Sequence, residues 1–263
     1  MEFTFDLISD LHLESWNESV DWTGRPTSPH CVIAGDICYD RSILIKFLKH
    51  LGQCYQGVFY IDGNDEHKLY MNQLGESYQD LAYKIRKMPN VVYLQDNVVV
   101  VNGVALIGTN GWWGYDLDLS LDSSEVQSWL KEKESYSDHV INSIRNYSKT
   151  DAKYIVASIK RLQTHPDVKK IVVISHTVPR ADLIEHDPGL LGKLKFNCMG
   201  NRYIAQALDV DTEHKIHTWC FGHYHGKVDQ YRDGVRWVNN CRGRKDTLWS
   251  QWAYNPLRVV IDY

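Results

Sequence analysis

Short apolar runs recur along the chain, and several of them end in Asp, Asn or His, an arrangement that restricts the possible folds. The strand-like runs are Phe3 to Ser9, Cys31 to Ala34, Val58 to Ile61, Val91 to Leu94, Val98 to Ile107, Ile171 to Ser175, Ile216 to Phe221, Val235 to Val238 and Leu257 to Ile261. Apolar residues at helical spacing lie between some of them, as in Ile43 to Leu51 and Ile155 to Leu162. The alternation predicts an α/β fold, and the closely spaced later strands predict some antiparallel pairing.

The helix starts and the domain boundaries follow from local signals. Asp40 is placed to cap a helix that begins near Arg41, and Ser148, Thr150 and Asp151 are capping candidates for a later helix. No Pro/Gly/Ser-rich linker divides the chain, so we predict a single domain over 1–263.

One segment, around 111–150, differs from its surroundings. Between Trp112 and His139 it carries seven acidic residues and two lysines. It is either a solvated helix and loop on the surface or a cap that leans over a site and shapes it.

Polar side chains follow five of the strand-like runs at the point where each run ends. They are Asp10 and His12, Asp36, Asn64 and Asp65, His176, and His223 and His225. Each alone is more typical of a turn or a helix cap. Because ligand sites in α/β sheets form at the carboxyl ends of strands, the five together predict one site.

The chemistry of these side chains is that of metal ligands. Asp10 and His12, like His223 and His225, are two residues apart, so an extended backbone points both to one side. Asp36 has two oxygens with which to bridge two cations. The donors are nitrogen and oxygen without thiolate, which favours Mn, Fe, Co, Ni or Zn.

These motifs make the sequence resemble the calcineurin-like metallophosphoesterases. The matching elements are Asp10-Leu11-His12, Gly35-Asp36, Gly63-Asn64, Ser175-His176 and Gly222-His223-Tyr224-His225. The resemblance implies a four-layer sandwich, with two mixed β-sheets packed face to face and helices outside. It also implies two divalent metal ions, manganese above all. Asp10, His12, Asp36 and His225 would hold the first ion, and Asp36, Asn64, His176 and His223 the second.

A looser similarity points to a phage and bacterial branch of predicted phosphohydrolases. It rests on Ala105 to Thr109 followed by Trp113, and on Val238 to Gly243. In such a site, two cations lower the pKa of a shared water and neutralise the charge of the phosphoryl group.

The sequence departs from the family pattern at Asp65, where many members have a histidine that protonates the leaving group. Asp65 is a catalytic candidate if its surroundings raise its pKa, and His67 is the other candidate. Alternatively, the enzyme relies on good leaving groups, or Asp65 only shapes the turn.

Two further pairs are candidates for substrate binding. Trp112 and Trp113 have rings that could stack on a base, although packing in the core is the simpler interpretation. Arg242 and Arg244 follow a hairpin-like turn at Arg232-Asp233-Gly234, and a guanidinium suits bidentate contact with phosphate.

Charge and composition narrow the range of partners. Asp and Glu exceed Lys and Arg by 33 to 29, a net charge of -4, so long nucleic acid is not the expected partner. The start of the chain lacks the features of a signal peptide, and no run is long enough to cross a membrane. The six cysteines have irregular spacing, which predicts reduced thiols in a cytoplasmic protein.

The sequence thus predicts a metal-dependent phosphoesterase that acts on a small phosphate ester. A nucleotide-like phosphodiester is favoured, because the histidine acid is missing and a Trp/Arg cap is available. The alternatives are a phosphomonoesterase of the same fold and a catalytically weak metal-binding scaffold.

Overall fold

The structure is a computed structural model, and it describes residues 2–16, 25–245, 247, 250 and 253–263. The strands are β1 Glu2–Ile8, β2 His30–Ala34, β3 Gly57–Ile61, β4 Val91–Tyr93, β5 Asn97–Val101, β6 Val104–Thr109, β7 Lys170–Ser175, β8 Ile216–Phe221, β9 Asp229–Arg232, β10 Val235–Asn239 and β11 Leu257–Asp262. The α-helices are α1 Leu13–Trp16, α2 Arg41–Cys54, α3 Leu74–Ile85, α4 Ser123–Lys133, α5 Asp138–Gln163, α6 Leu190–Phe196 and α7 Ala207–Val210. Short 3₁₀ helices span Asp65–Gln73, Ala181–Leu183 and Ile204–Gln206.

The strands form two mixed sheets. The five-stranded sheet has the order β11-β1-β2-β3-β4, in which β11 is antiparallel to β1 and the other pairs are parallel. The six-stranded sheet has the order β5-β6-β7-β8-β10-β9, with antiparallel pairs at both edges. The predicted α/β class with mixed sheets is therefore confirmed.

The layers are visible in how the apolar residues cluster. One buried cluster joins the two sheets face to face, since it contains Phe5 and Val32 of one sheet and Leu106 and Val172 of the other. A second cluster packs the outer face of the five-stranded sheet against α2 and α3. A third packs the outer face of the six-stranded sheet against α5. The four-layer sandwich is confirmed.

Most predicted strands are present, but the run Val98 to Ile107 is two strands and not one. The chain reverses at Asn102-Gly103, and Val101 pairs with Val104 across this two-residue turn. Both turn residues have positive φ, 50° and 80°. Asn-Gly is the preferred sequence for this kind of hairpin turn, because both residues tolerate the left-handed conformation.

Two other elements differ from the prediction, one strand and the start of one helix. Strand β9 is absent from the predicted strands, because Asp229–Arg232 is polar and lacks an apolar run; its residues alternate between exposed and partly buried. Helix α5 begins at Asp138 with Ser137 as its N-cap, so Ser148, Thr150 and Asp151 lie inside the helix and do not start it. The predicted cap at Asp40 is confirmed, because its side chain accepts hydrogen bonds from the backbone nitrogens of Ser42 and Ile43.

The 111–150 segment contains a loop, α4 and the first half of α5. Its buried side chains, including Trp112, Tyr115, Val126 and Ile144, form a cluster of their own with Leu74 of α3. The segment is therefore packed on the body of the protein through an apolar face.

The structure describes all six cysteines, and none of them forms a disulfide bond. No helix within the described residues combines the length and the apolar character needed to cross a bilayer.

Candidate metal centre

The loops that follow β1, β2 and β3 of one sheet and β7 and β8 of the other meet at one edge of the sandwich. They place metal-ligating side chains in two groups of three. We call Asp10, His12 and His225 the Asp10 group, and Asp36, His176 and His223 the Asp36 group. Within each group the candidate ligand atoms all lie within 4.8 Å of one another. The structure thus brings together the six ionisable residues that the sequence predicted as ligands.

The Asp10 group is compact; Asp10 and His12 are buried, and His225 is partly exposed. The Nε2 atoms of His12 and His225 are 3.1 Å apart, and His225 Nε2 is 3.2 Å from Asp10 Oδ1. His12 Nε2 also lies 4.0 Å from Asp36 Oδ2, which connects this group to the next. Asp36 is therefore within reach of both groups, as a bridging carboxylate must be.

In the Asp36 group, the seventh predicted ligand joins the three ionisable ones. His176 Nε2 is 3.4 Å from Asp36 Oδ2 and 3.0 Å from Asn64 Oδ1. The Asn64 amide nitrogen donates to Asp65 Oδ1, which leaves the amide oxygen facing the group. Asn64 is thus placed to supply a neutral oxygen ligand.

Backbone carbonyls orient two of the imidazoles. His176 Nδ1 lies 2.8 Å from the carbonyl oxygen of Ala34, and His223 Nε2 lies 3.2 Å from that of Cys198. Because a carbonyl only accepts, these nitrogens carry the hydrogens, and in the neutral imidazoles the opposite nitrogens would present lone pairs to a metal ion. Such outer contacts fix the tautomer and the ring orientation of metal-binding histidines.

Four predicted ligands have backbone conformations that are unusual for their residue types. Asp10, His12, Asp36 and His223 have φ values of 51°, 44°, 52° and 64°. The left-handed region costs a residue with a side chain about 1–2 kcal/mol. Such outliers concentrate at functional sites, where the surrounding structure holds them in place.

Two glycines let these loops approach closely. A Cβ at Gly222 would lie 2.6 Å from both the Ala34 carbonyl oxygen and Asp10 Oδ2. A Cβ at Gly63 would lie 2.6 Å from the backbone nitrogen of Asp36. There is therefore no room for a side chain at either of these glycines.

Carboxylates and imidazoles lie side by side in the centre and are shielded from water, so they shift one another's pKa values. Burial alone would lower the pKa of His12, but the Asp65 and Glu14 carboxylates outweigh it and raise this pKa to about 10. Burial is outweighed in the same way at His176, where Asp36 raises the pKa to about 10. Burial and the neighbouring His176 lower the pKa of His223 to about 4.

The two aspartates show the complementary effect. Burial opposes their ionisation, yet the surrounding histidines, His225 for Asp10 and His176 for Asp36, hold both pKa values below the usual range. In the metal-free protein, the imidazolium forms of His12 and His176 thus provide positive charge beside the buried carboxylates. Divalent cations would supply that charge directly.

Glu66 is a part of the centre that the sequence analysis missed. This fully buried carboxylate accepts from the backbone nitrogens of Asp36, Ile37 and Gly63 at 3.1, 2.7 and 2.7 Å. It therefore ties the β2 loop, which carries Asp36, to the β3 loop, which carries Asn64. The sequence gives little signal of this role, because an acid after a strand is more often a surface residue.

The donor set fits two divalent metal ions. Each group offers one carboxylate and two imidazoles, Asp36 lies between the groups, and Asn64 adds a neutral oxygen. A third group of His12, Glu14 and Asp65 fits less well. The Arg244 guanidinium contacts both of its carboxylates and already brings a positive charge there.

No family model matches the sequence, and no curated protein matches it. Several solved structures are similar to the chain. Phosphopantetheinyl hydrolase from Mycobacterium tuberculosis is 18% identical, with a TM-score of 0.69 over 97% of this chain and 96% of that one. A dimetal phosphatase from Danio rerio is 12% identical, with a TM-score of 0.57 over 94% and 89% of the two chains.

The chain has the calcineurin-like metallophosphoesterase fold. The resemblance in the motifs is thus confirmed for the fold.

A third similar structure is named for an anchoring role. GAP50, described as the anchor in the inner membrane complex of Plasmodium, is 10% identical, with a TM-score of 0.51 over 95% of this chain and 75% of that one. The function of a chain with this fold must therefore be argued from its site residues.

In this calcineurin-like fold, the two candidate proton donors occupy different surroundings. Asp65 lies in the centre, where its Oδ2 is 3.3 Å from His12 Nδ1 and in contact with Arg244. His67 is completely buried. One of its ring nitrogens contacts Asp62, and the other lies 3.0 Å from Ser77 Oγ. The structure thus brings Asp65 to the metal centre, and it places His67 in the network beneath.

The candidate substrate residues also differ in position. Arg244 is partly exposed at the edge of the centre. Arg242 is buried, with its guanidinium carbon 3.8 Å from the centre of the Trp16 ring. Trp112 is completely buried and donates to Tyr78 Oη. Trp113 is nearly buried and stacks on the His223 ring, with centroids 5.6 Å apart. Trp113 thus supports a candidate ligand, and Trp112 has no exposed ring face.

Proposed function

We propose that the protein is a phosphoesterase that uses two divalent metal ions to hydrolyse a small phosphate ester. The observation that supports this most is the pair of ligand groups on one edge of the sandwich, with Asp36 between them. The fold alone does not require these side chains to lie together, and it does not require strained backbone conformations at four of them.

The residues have separate roles in this proposal. The Asp10 group would hold one ion, and the Asp36 group with Asn64 would hold the other. Two such ions supply a nucleophile at neutral pH and neutralise charge on the phosphoryl group. Arg244, at the edge of the centre, would contact a phosphoryl oxygen. Asp65 would orient His12 and Arg244, and it would not donate a proton.

A nucleotide-like phosphodiester is the substrate that we favour. A cavity of about 710 Å³ adjoins His225, with Ile184, Tyr224, Lys227 and Val228 in its lining. Its volume suits an organic group attached to the phosphate. Because Asp65 is paired with Arg244 and His67 is buried, a substrate whose leaving group needs little protonation suits the site.

We propose manganese as the native metal. Carboxylate, amide and imidazole ligands without thiolate suit Mn, and the same donors accept Fe, Zn, Ni or Co. Metal analysis of the purified protein, by inductively coupled plasma mass spectrometry, tests both the identity and the expected two ions per chain.

The activity is tested by removing the metal with chelator, restoring Mn²⁺, and assaying bis(p-nitrophenyl) phosphate beside p-nitrophenyl phosphate. Asp36→Asn should lower the rate by several orders of magnitude, because the lost charge serves both ions. Asp40→Asn is the matched control, since Asp40 caps α2 outside both ligand groups and Asn caps helices equally well.

The outcomes separate the alternatives. Metal-dependent hydrolysis of the diester that requires Asp36 supports the proposal. A preference for the monoester would indicate a phosphomonoesterase of the same fold. Two bound metals without hydrolysis of either ester would favour the metal-binding scaffold. Activity of Asp36→Asn within tenfold of wild type would refute the bridging role.

A further inference from the structure

A groove runs along α5, away from the metal centre. Its volume is about 620 Å³, and its lining includes Ala152 and Val156 of α5 and Tyr203 from outside this helix. None of the candidate metal ligands lines it. A cavity of this size suits one small organic ligand.

Basic side chains are concentrated along this groove. Arg145, Lys149, Lys153 and Lys160 line it, and their spacing along α5 places them on one face of the helix. They extend over about 22 Å of helix. Within the described part of the chain, none of the three lysine ammonium groups forms an ion pair. A protein with a net charge of -4 thus presents a concentrated positive stripe here.

The remaining lining residues are apolar or have hydrogen-bonding capacity. Ala152 is buried and Val156 is half-buried beneath the cations, which gives the groove an apolar floor. Asp116 is the acidic residue among those described in the lining. Its Oδ2 accepts from Tyr203 Oη at 2.7 Å, whereas its buried Oδ1 has no hydrogen-bond partner among the described residues.

We propose that this groove binds a small organic polyanion of the nucleoside polyphosphate type. Phosphate groups would pair with Lys149, Lys153 and Arg145, and the ring would lie on the apolar floor beside Tyr203. A hydroxyl or amino group of the ligand would donate to the Asp116 carboxylate, which lines the groove. An inorganic anion would use only the cations, and a neutral apolar ligand would use only the floor.

Calorimetric titration of the full-length, metal-loaded protein tests the site, with adenosine 5′-(β,γ-imido)triphosphate as the probe. Lys149→Ala combined with Lys153→Ala should weaken groove binding roughly tenfold or more. Lys46→Ala combined with Lys49→Ala is the matched control, because both lysines are exposed on α2 and the same charge is removed.

Binding at the metal centre is distinguished by repeating the titrations in an Asp36→Asn background. A component that persists in Asp36→Asn and is lost in the groove variant supports the site. Equal binding by the groove and control variants would overturn it, as would a signal that disappears with Asp36→Asn alone.

Two further probes test the class of ligand. Inorganic triphosphate and adenosine should each bind more weakly than the nucleotide, since each lacks half of the interactions. Triphosphate binding as tight as that of the nucleotide would overturn the role of the floor. Groove-dependent binding of polyglutamate, without nucleotide binding, would indicate an acidic protein partner instead.

This inference is independent of the proposed hydrolytic function. The groove variant keeps both ligand groups, so its metal-dependent hydrolysis of the chromogenic ester should equal that of the control variant. Loss of groove binding with unchanged hydrolysis, and the reverse result in Asp36→Asn, would show two separate sites.

Discussion

At the scale of single residues, the metal centre is defined as much by backbone conformation as by side-chain type. Asp10, His12, Asp36 and His223 all have positive φ. Asp and His are tolerated there better than most residues, yet each still has a cost in stability. Glycine at these positions would thus make the loops that carry the ligands more stable.

His223 offers a test of this cost. In the metal-free protein, His223→Gly should be more stable than His223→Ala by about 1 kcal/mol, because glycine adopts positive φ freely. The free energies of unfolding are measured by urea titration in the presence of chelator.

His225 is the matched control, since it is absent from the residues with positive φ. There the order should reverse, with His225→Ala more stable than His225→Gly by about 0.4–1 kcal/mol. The same order at both positions would refute the idea that the ligand backbone is strained.

The residue scale also shows what a sequence can reveal about a site. Residues such as Asp36 and His176 could be predicted, because a polar side chain at the end of an apolar run stands out. Glu66 could not, because its role depends on backbone nitrogens of two loops that meet only in the folded protein. The burial of His67 beside Asp62 likewise depends on packing.

At the scale of elements, the β5–β6 hairpin shows how turn chemistry overrides an apolar pattern. The run from Val98 to Ile107 looks continuous, yet Asn102-Gly103 reverses the chain within it. Apolar periodicity fixed the positions of most strands and of α2. It could not detect β9, whose polar residues are held by pairing with β10.

Replacement of Gly103 by alanine should destabilise the protein by about 1 kcal/mol, because alanine resists the φ of 80° that the turn requires. Gly75→Ala is the control, since Gly75 lies in α3 with open space around it apart from Tyr147 Oη, and alanine favours helix. Urea titration should place the two variants on opposite sides of wild type. A neutral Gly103→Ala would contradict the turn assignment.

At the scale of the whole molecule, the candidate metal centre joins the two sheets. Asp10 and Asp36 follow strands of the five-stranded sheet, and His176 and His223 follow strands of the six-stranded sheet. Ions held by both sheets bind the native state and not the unfolded chain, so they should raise its stability.

The melting temperature should therefore fall when chelator removes the metal, and the fall should be larger at pH 8 than at pH 6.5. Without metal, the raised pKa values of His12 and His176, each about 10, give stability that is present below about 6.5 and is lost progressively as the pH rises toward 10. Metal binding needs these imidazoles deprotonated, so it strengthens over the same range.

Differential scanning fluorimetry of the chelated and Mn²⁺-loaded protein at both pH values measures the effect. Asp36→Asn is the control that should lose most of the difference. An equal melting temperature with and without metal in the wild type would show that the ions, if bound, do not hold the sheets together.

The left-handed backbone at four of the candidate ligands affects how these positions would evolve. A mutation that replaces one of these four residues with glycine would remove a candidate metal ligand and would stabilise its loop. In a lineage that no longer needed the metal site, selection for stability would favour glycine at these positions. The presence of Asp or His, and not glycine, at these four positions is what continued use of the site would leave in the sequence.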